Sequence, residues 1–146
     1  MKILLPAIAL LVGSNVAAIA AEQTLKFKLA YFFMEQKDGE SHFMGVTIAP
    51  DGTLGTKDFF AKQGENGAFT GHSTYYFPKG TIKVTMVGDG TGTDKGGHIK
   101  GKYQFVSGTG AYQGATVTGG FEGDWGDKSP LENAALLDVE LDIKTP

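Results

Sequence analysis

Residues 134–144 read AALLDVELDIK, and this stretch decides the fold class. Apolar and charged side chains alternate along it, which is typical of a β-strand with one face in a core and the other in water. Its apolar positions are Ala135, Leu137, Val139, Leu141 and Ile143. The acids between them, Asp138, Glu140 and Asp142, are interpreted as a solvated outer face rather than as a catalytic acid and base. A strand this regular predicts a neighbour on both sides.

The same kind of segment recurs along the chain. Seven or eight stretches of strand length are separated by clusters of Gly, Asp, Asn and Pro, and none has the spacing of an amphipathic helix. The first, residues 24–34, aligns Leu25, Phe27, Leu29, Tyr31 and Phe33 on one face. Antiparallel strands joined by short turns leave no free edge when they close, so the sequence predicts an eight-stranded antiparallel β-barrel. A two-sheet β-sandwich is the alternative.

Two further segments carry specific expectations. In the second strand, residues 41–49, His42 shares an apolar face with Met44, Val46 and Ile48 and is expected to face a cavity; an exposed position at the end of the strand is the alternative. Residues 88–97 are rich in Gly, Asp and Thr, and they are expected to form a polar loop.

The chain has 146 residues, which predicts one domain, residues 22–146, behind a signal peptide, residues 1–21. Lys2 supplies a charged start, residues 3–12 an apolar stretch, and residues 18–20 a small-residue cleavage site. A membrane anchor is the alternative, but Pro6 and Gly13 interrupt an apolar run shorter than the roughly 20 residues that a span requires. We expect a mature protein that is periplasmic or secreted and has no membrane partner.

Composition excludes several kinds of chemistry. The chain has no cysteine, so thiolate ligands and thiol nucleophiles are ruled out, and the fold depends on its core rather than on disulfides. All 13 basic residues are lysines, so no guanidinium is present to bind phosphates bidentately. Together with a net charge of -3, this argues against a nucleic-acid partner.

Residues 107–123, SGTGAYQGATVTGGFEG, form a glycine-rich hairpin motif. The turn at residues 108–110 is expected to need a left-handed backbone, and Gly114 with Ala115 is expected to leave room for a neighbouring strand or ring. The positions of this structural turn motif are Gly108, Thr109, Gly110, Tyr112, Gly114, Ala115 and Gly119.

This motif resembles the G(G/T)TGxYxGAxGxG hairpin of the allene oxide cyclase and dirigent-like barrel superfamily, and the chain is similar to a bacterial secreted member. Residues 75–81, YYFPKGT, also resemble an upstream hairpin of bacterial members. The resemblance implies an eight-stranded antiparallel barrel, often trimeric, with a cavity for an apolar or phenolic compound. The cysteine and arginine associated with the cavities of the plant proteins are absent here, so no catalytic residue is carried over.

No metal or cofactor is expected. His42, His72 and His98 are far apart and have no ligand spacing, and the chain has no nucleophile elbow, P-loop or dinucleotide fingerprint. The only tryptophan, Trp125, lies in a segment, residues 124–127, that is expected to form a turn.

Three functional hypotheses remain open. The first is a barrel that binds a small apolar or aromatic molecule without catalysis. The second is a cofactor-independent cyclase or isomerase acting on a bound unsaturated substrate, and the third is a solid barrel that acts only through its outer surface. The residues expected to line a ligand site are Tyr31, His42, Tyr75 and Tyr103.

Overall fold

In a computed structural model, which describes residues 21–146, the chain forms a closed barrel of eight antiparallel strands. Each strand pairs with the next in sequence, and the last returns to the first, which confirms the predicted barrel. The predicted signal peptide lies outside the described residues except for Ala21. The strands are β1 (Glu22–Lys37), β2 (Glu40–Ile48), β3 (Leu54–Gln63), β4 (Ala68–Phe77), β5 (Gly80–Thr93), β6 (Gly96–Gly108), β7 (Thr116–Gly126) and β8 (Ala135–Lys144). Two single-turn 3-10 helices, Glu65–Gly67 and Gly110–Tyr112, lie in the connections.

The alternation in β8 separates the core from water as predicted. Its apolar side chains at positions 137, 139, 141 and 143 are buried inside the barrel. Its acids face β1 on the outside, where Lys26 contacts Glu140 at 2.9 Å and Lys28 contacts Asp138 at 2.5 Å. These exposed pairs contribute little stability, so burial of the apolar face holds β8 in register.

The two ends of the barrel differ. At the packed end, where the β2–β3, β4–β5 and β6–β7 connections lie, Tyr112 is buried and its ring lies 6.0 Å from that of Phe77. Phe77 also stacks on Tyr75 at 5.5 Å. The open end, formed by the β1–β2, β3–β4, β5–β6 and β7–β8 connections, holds a cavity. The chain therefore has a filled half and a hollow half.

The expectation for β2 was wrong, because its apolar face points outward. Gly45 and Thr47 face the interior, while the apolar side chains at positions 44, 46 and 48 are between 40% and 48% exposed. A Cβ atom at Gly45 would lie 2.6 Å from Leu29 Cδ1, so the neighbouring strand has already filled that interior space. Glycine fits there, and the larger side chains are left on the outer face.

Residues 88–97 are not a loop as expected. β5 extends to Thr93 and β6 begins at Gly96, so most of this stretch forms a long β-hairpin. Backbone hydrogen bonds hold such a hairpin without apolar side chains, and glycine permits a close approach of the two strands.

The glycine motif between β6 and β7 adopts the expected turn. Gly110 has φ 59°, and a Cβ atom there would collide with the Lys79 carbonyl oxygen. Gly114 has φ 73°, but the nearest atom to its Cβ position is Pro146 Cγ at 3.2 Å. Position 114 therefore requires glycine because its backbone is left-handed, and not because of the close packing that was expected.

Substitution of Gly110 by valine is expected to lower the melting temperature, with a loss of roughly 1 to 3 kcal/mol in the free energy of unfolding. The cause is a β-branched side chain at positive φ against the Lys79 carbonyl. Gly90→Ala is the matched control, because the nearest atom to its Cβ position lies 3.7 Å away. Thermal unfolding followed by circular dichroism checks this, and equal melting of both variants would contradict the role assigned to the turn.

Candidate functional site

The open half of the barrel encloses a cavity of about 570 Å³. This size falls within the range of small-molecule sites. Phe33 lines the cavity and is 58% exposed, so the cavity reaches solvent at the open end. The aromatic residues of the lining are Tyr31, Phe33, Phe43, Phe59, Phe69, Phe121 and Trp125.

Three rings from consecutive strands form one wall of this cavity. The Tyr31 ring of β1 meets Phe43 of β2 edge-on at 5.5 Å and Phe59 of β3 at 5.1 Å. Phe43 and Phe59 stack at 4.8 Å with an interplanar angle of 12°. These stacked and edge-on contacts fix the rings relative to one another, so the wall has one defined arrangement.

Space for the cavity comes from small residues in the open half. Ala61, Gly67 and Gly90 line it on β3, on the β3–β4 connection and on β5. Ala134, just before β8, and Ala135, its first residue, also line it. Larger side chains at these inward positions would fill the barrel, as they do at the packed end.

Lys57, on β3, lines the cavity yet is only 2% exposed. Its Nζ atom lies 4.6 Å from the centroid of the Phe59 ring, 4.8 Å from Tyr75 and 4.9 Å from Tyr103. The amine is hydrogen-bonded to the Tyr103 hydroxyl at 2.9 Å, and the Tyr75 hydroxyl donates to that of Tyr103 at 2.7 Å. Among the described residues, no carboxylate forms a salt bridge with Lys57.

Burial changes the protonation of these groups. Desolvation lowers the pKa of Lys57 to about 7, because an ammonium is poorly solvated among aromatic rings. The same effect raises the pKa of Tyr31 to about 12 and raises the pKa values of Tyr75 and Tyr103 as well. The phenols therefore stay protonated at neutral pH, whereas the amine of Lys57 is partly neutral.

The four residues predicted to line a ligand site lie in three different parts of the barrel. Tyr31 lines the cavity. Tyr75 and Tyr103 lie inside the barrel but do not line the cavity; they hold Lys57 from the packed side. His42 lies on the outer face, so its expected position inside a cavity was wrong.

The sequence interpretation missed Lys57, Phe59 and Phe121. A signal for the first two was present, because Lys57, Phe59 and Ala61 alternate along one face of β3. A lysine on an apolar strand face is unusual enough to mark a buried amine. Trp125, expected in a turn, is in the last part of β7 and lines the cavity.

The three histidines lie on the outer face. The Phe60 ring stacks between His42 at 4.4 Å and His72 at 5.0 Å, and His42 Nε2 also contacts Asp58 at 2.5 Å. His98 contacts Glu122 and Asp124, one through each ring nitrogen, and both distances are 2.9 Å. The hydrogen bond to Asp124, followed by that to Glu122, raises the pKa of His98. Within residues 21–146, no group of three ligand-type side chains is arranged to hold a metal ion.

The outer face of β1 to β4 carries an apolar patch. Its members are 40% to 59% exposed. Its residues are Phe32, Met44, Val46, Ile48, Leu54 and Tyr76.

Comparison with protein-family models, curated proteins and solved structures finds no match to the chain. The described part of the chain contains no helix long and apolar enough to cross a membrane. The closed antiparallel barrel is thus the class of protein that the fold defines.

The buried amine predicts a specific dependence of stability on pH. Lys57 has a pKa of about 7 when folded and an ordinary value of 10.5 when unfolded, so the unfolded chain binds more protons between these values. Stability therefore rises with pH in this window, by about 2 kcal/mol between pH 7 and pH 9. Urea unfolding of the parent and of Lys57→Met measures this contribution.

Lys57→Met lacks the titrating amine. Between pH 7 and pH 9 its free energy of unfolding should therefore rise by about 2 kcal/mol less than that of the parent. Lys62→Met, a neighbour on the outer face of the same strand, is the control and should behave as the parent does. Parallel pH profiles for the parent and Lys57→Met would show that the amine is not desolvated.

Proposed function

We propose that this chain is a periplasmic or secreted barrel that binds one small apolar or aromatic molecule in its open half. The observation that carries the proposal is the cavity of about 570 Å³, which is lined by seven aromatic side chains and reaches solvent beside Phe33. Transfer of an apolar guest from water into such a lining is favourable, and stacked or edge-on rings add orientation.

The cavity argues against the solid-barrel hypothesis and leaves catalysis as a second candidate. An amine with a pKa near neutrality is suited to general-base work, and Lys57 places one at the cavity. Lys57 therefore supports a cofactor-independent cyclase or isomerase as the second candidate function. Binding is the stronger proposal because the described residues of the lining include no carboxylate or imidazole to act with that amine.

The resemblance to the allene oxide cyclase and dirigent-like superfamily supports the same proposal, since it implies a cavity for an apolar or phenolic compound. It also implies a homo-oligomer, often a trimer. The apolar patch on β1 to β4 offers a surface for such an assembly, because exposed apolar patches of this kind favour protein contacts.

Binding is expected to change the emission of Trp125, the only tryptophan of the chain, because it lines the cavity. The probe is N-phenyl-1-naphthylamine, which is neutral, apolar and aromatic. Titration should give a saturable change, and Ala61→Phe, which fills the cavity, should weaken binding at least about tenfold.

Lys62→Phe adds the same ring one residue further along β3 but on the exposed face, so it should bind as the parent does. No saturable change in the parent, or equal affinity of the two variants, would refute the proposed function.

Export is the second measurable part of the proposal. In a Gram-negative host, the product should appear in the periplasmic fraction, shortened by about 20 residues. Mass spectrometry of the purified protein locates the new N-terminus. A full-length product in the membrane fraction would contradict the signal peptide, and Ala20→Arg is expected to slow cleavage while leaving the barrel sequence unchanged.

A further inference from the structure

Lys57 is a buried amine without a counter-charge. Its neighbours are the rings of Phe59, Tyr75, Tyr103 and Phe121, and none of the salt bridges among the described residues includes it. Ring faces compensate only part of the cost of burying an ammonium. A neutral amine avoids that cost.

The hydrogen bonds around Lys57 are compatible with a neutral amine. Lys57 Nζ donates to the Tyr103 hydroxyl oxygen at 2.9 Å, and the Tyr75 hydroxyl donates to the same oxygen at 2.7 Å. A neutral amine has two N–H bonds and one lone pair, so it makes the hydrogen bond to Tyr103 and keeps its lone pair free.

A neutral amine at a cavity is a nucleophile. Desolvation that lowers the pKa of Lys57 to about 7 leaves a large uncharged fraction at neutral pH. Two lysines of the outer face have the opposite shift, since Glu140 raises the pKa of Lys26 and Glu22 raises the pKa of Lys144. Lys57 should therefore react ahead of the other lysines.

We propose that Lys57 forms an imine with a small apolar or aromatic aldehyde held in the cavity. This inference rests on the proposed binding function and adds the chemical class of the ligand. The rings of the lining hold the apolar body of the aldehyde, and the carbonyl group meets Lys57, the only amine that residues 21–146 contribute to the lining.

The step is balanced without an oxidant or a cofactor. The Nζ lone pair forms a bond to the carbonyl carbon, the C=O electron pair moves to oxygen, and a proton passes from nitrogen to that oxygen. Loss of the hydroxyl group with a second proton from nitrogen releases water and leaves C=N. The Tyr103 hydroxyl, 2.9 Å from Nζ, is the nearest protein group that can relay protons in this exchange.

The test is reductive trapping on the mature protein at pH 7. Benzaldehyde is added with sodium cyanoborohydride, which converts an imine to a stable secondary amine, and peptides are mapped by mass spectrometry. Lys57 should be labelled at least about tenfold faster than Lys62, its outward-facing neighbour. Labelling confined to exposed lysines would overturn the inference, and this readout needs no variant to fold.

Two variants and two competitors complete the design. Lys57→Met should lose the fast adduct, whereas Lys62→Met should keep it and should still bind N-phenyl-1-naphthylamine. If the parent binds the naphthylamine but Lys57 is not trapped, the imine is refuted and the binding function stands; if the parent does not bind it, the proposed function fails. Benzoate and benzaldehyde are also compared as competitors of the naphthylamine. If benzoate displaces it whereas benzaldehyde neither displaces it nor labels Lys57, the amine pairs with anions as an ammonium. That result also overturns the inference.

Discussion

The pairing of β1 with β8 closes the barrel, and the arrangement of the interior follows from that closure. This ladder runs from Glu22 opposite Lys144 to Tyr31 opposite Ala135 and joins the first strand to the last. Closure removes both sheet edges and encloses an interior. Every inward-facing side chain must therefore either fill that interior or border a cavity. The alternation of β8 supplies the side chains that make closure favourable.

Side-chain size then divides the interior into two halves. Tyr75, Phe77 and Tyr112 fill the packed end, while glycines and alanines leave space at the open end. Lys57 lies where the two halves meet, with the cavity on one side and the two tyrosine hydroxyls on the other. The same closure that produces a binding cavity therefore also desolvates an amine beside it.

Sequence patterns predicted the barrel but only part of the site. The alternation of β8 and the lysines at positions 26 and 28 of β1 indicate which side is buried, because charged side chains separate the apolar ones there. The orientation of β2 was predicted wrongly because its apolar face points outward. The inward position of Gly45 becomes evident only from its close contact with Leu29 on the neighbouring strand. Lys57 was missed because a lysine is normally assigned to the surface, and its burial depends on contacts with Tyr103 and Phe121 that are distant in sequence.

A crystal structure determined under xenon pressure distinguishes a hollow open half from a filled one, because xenon enters apolar cavities and is absent from filled interiors. Xenon density is expected inside the open half, among the rings of Phe59, Phe69 and Phe121. Lys57 should lie at the edge of that density, with its Nζ atom beside the Tyr103 hydroxyl. An interior packed with side chains and free of xenon, or a Lys57 amine turned outward to solvent, would contradict the account.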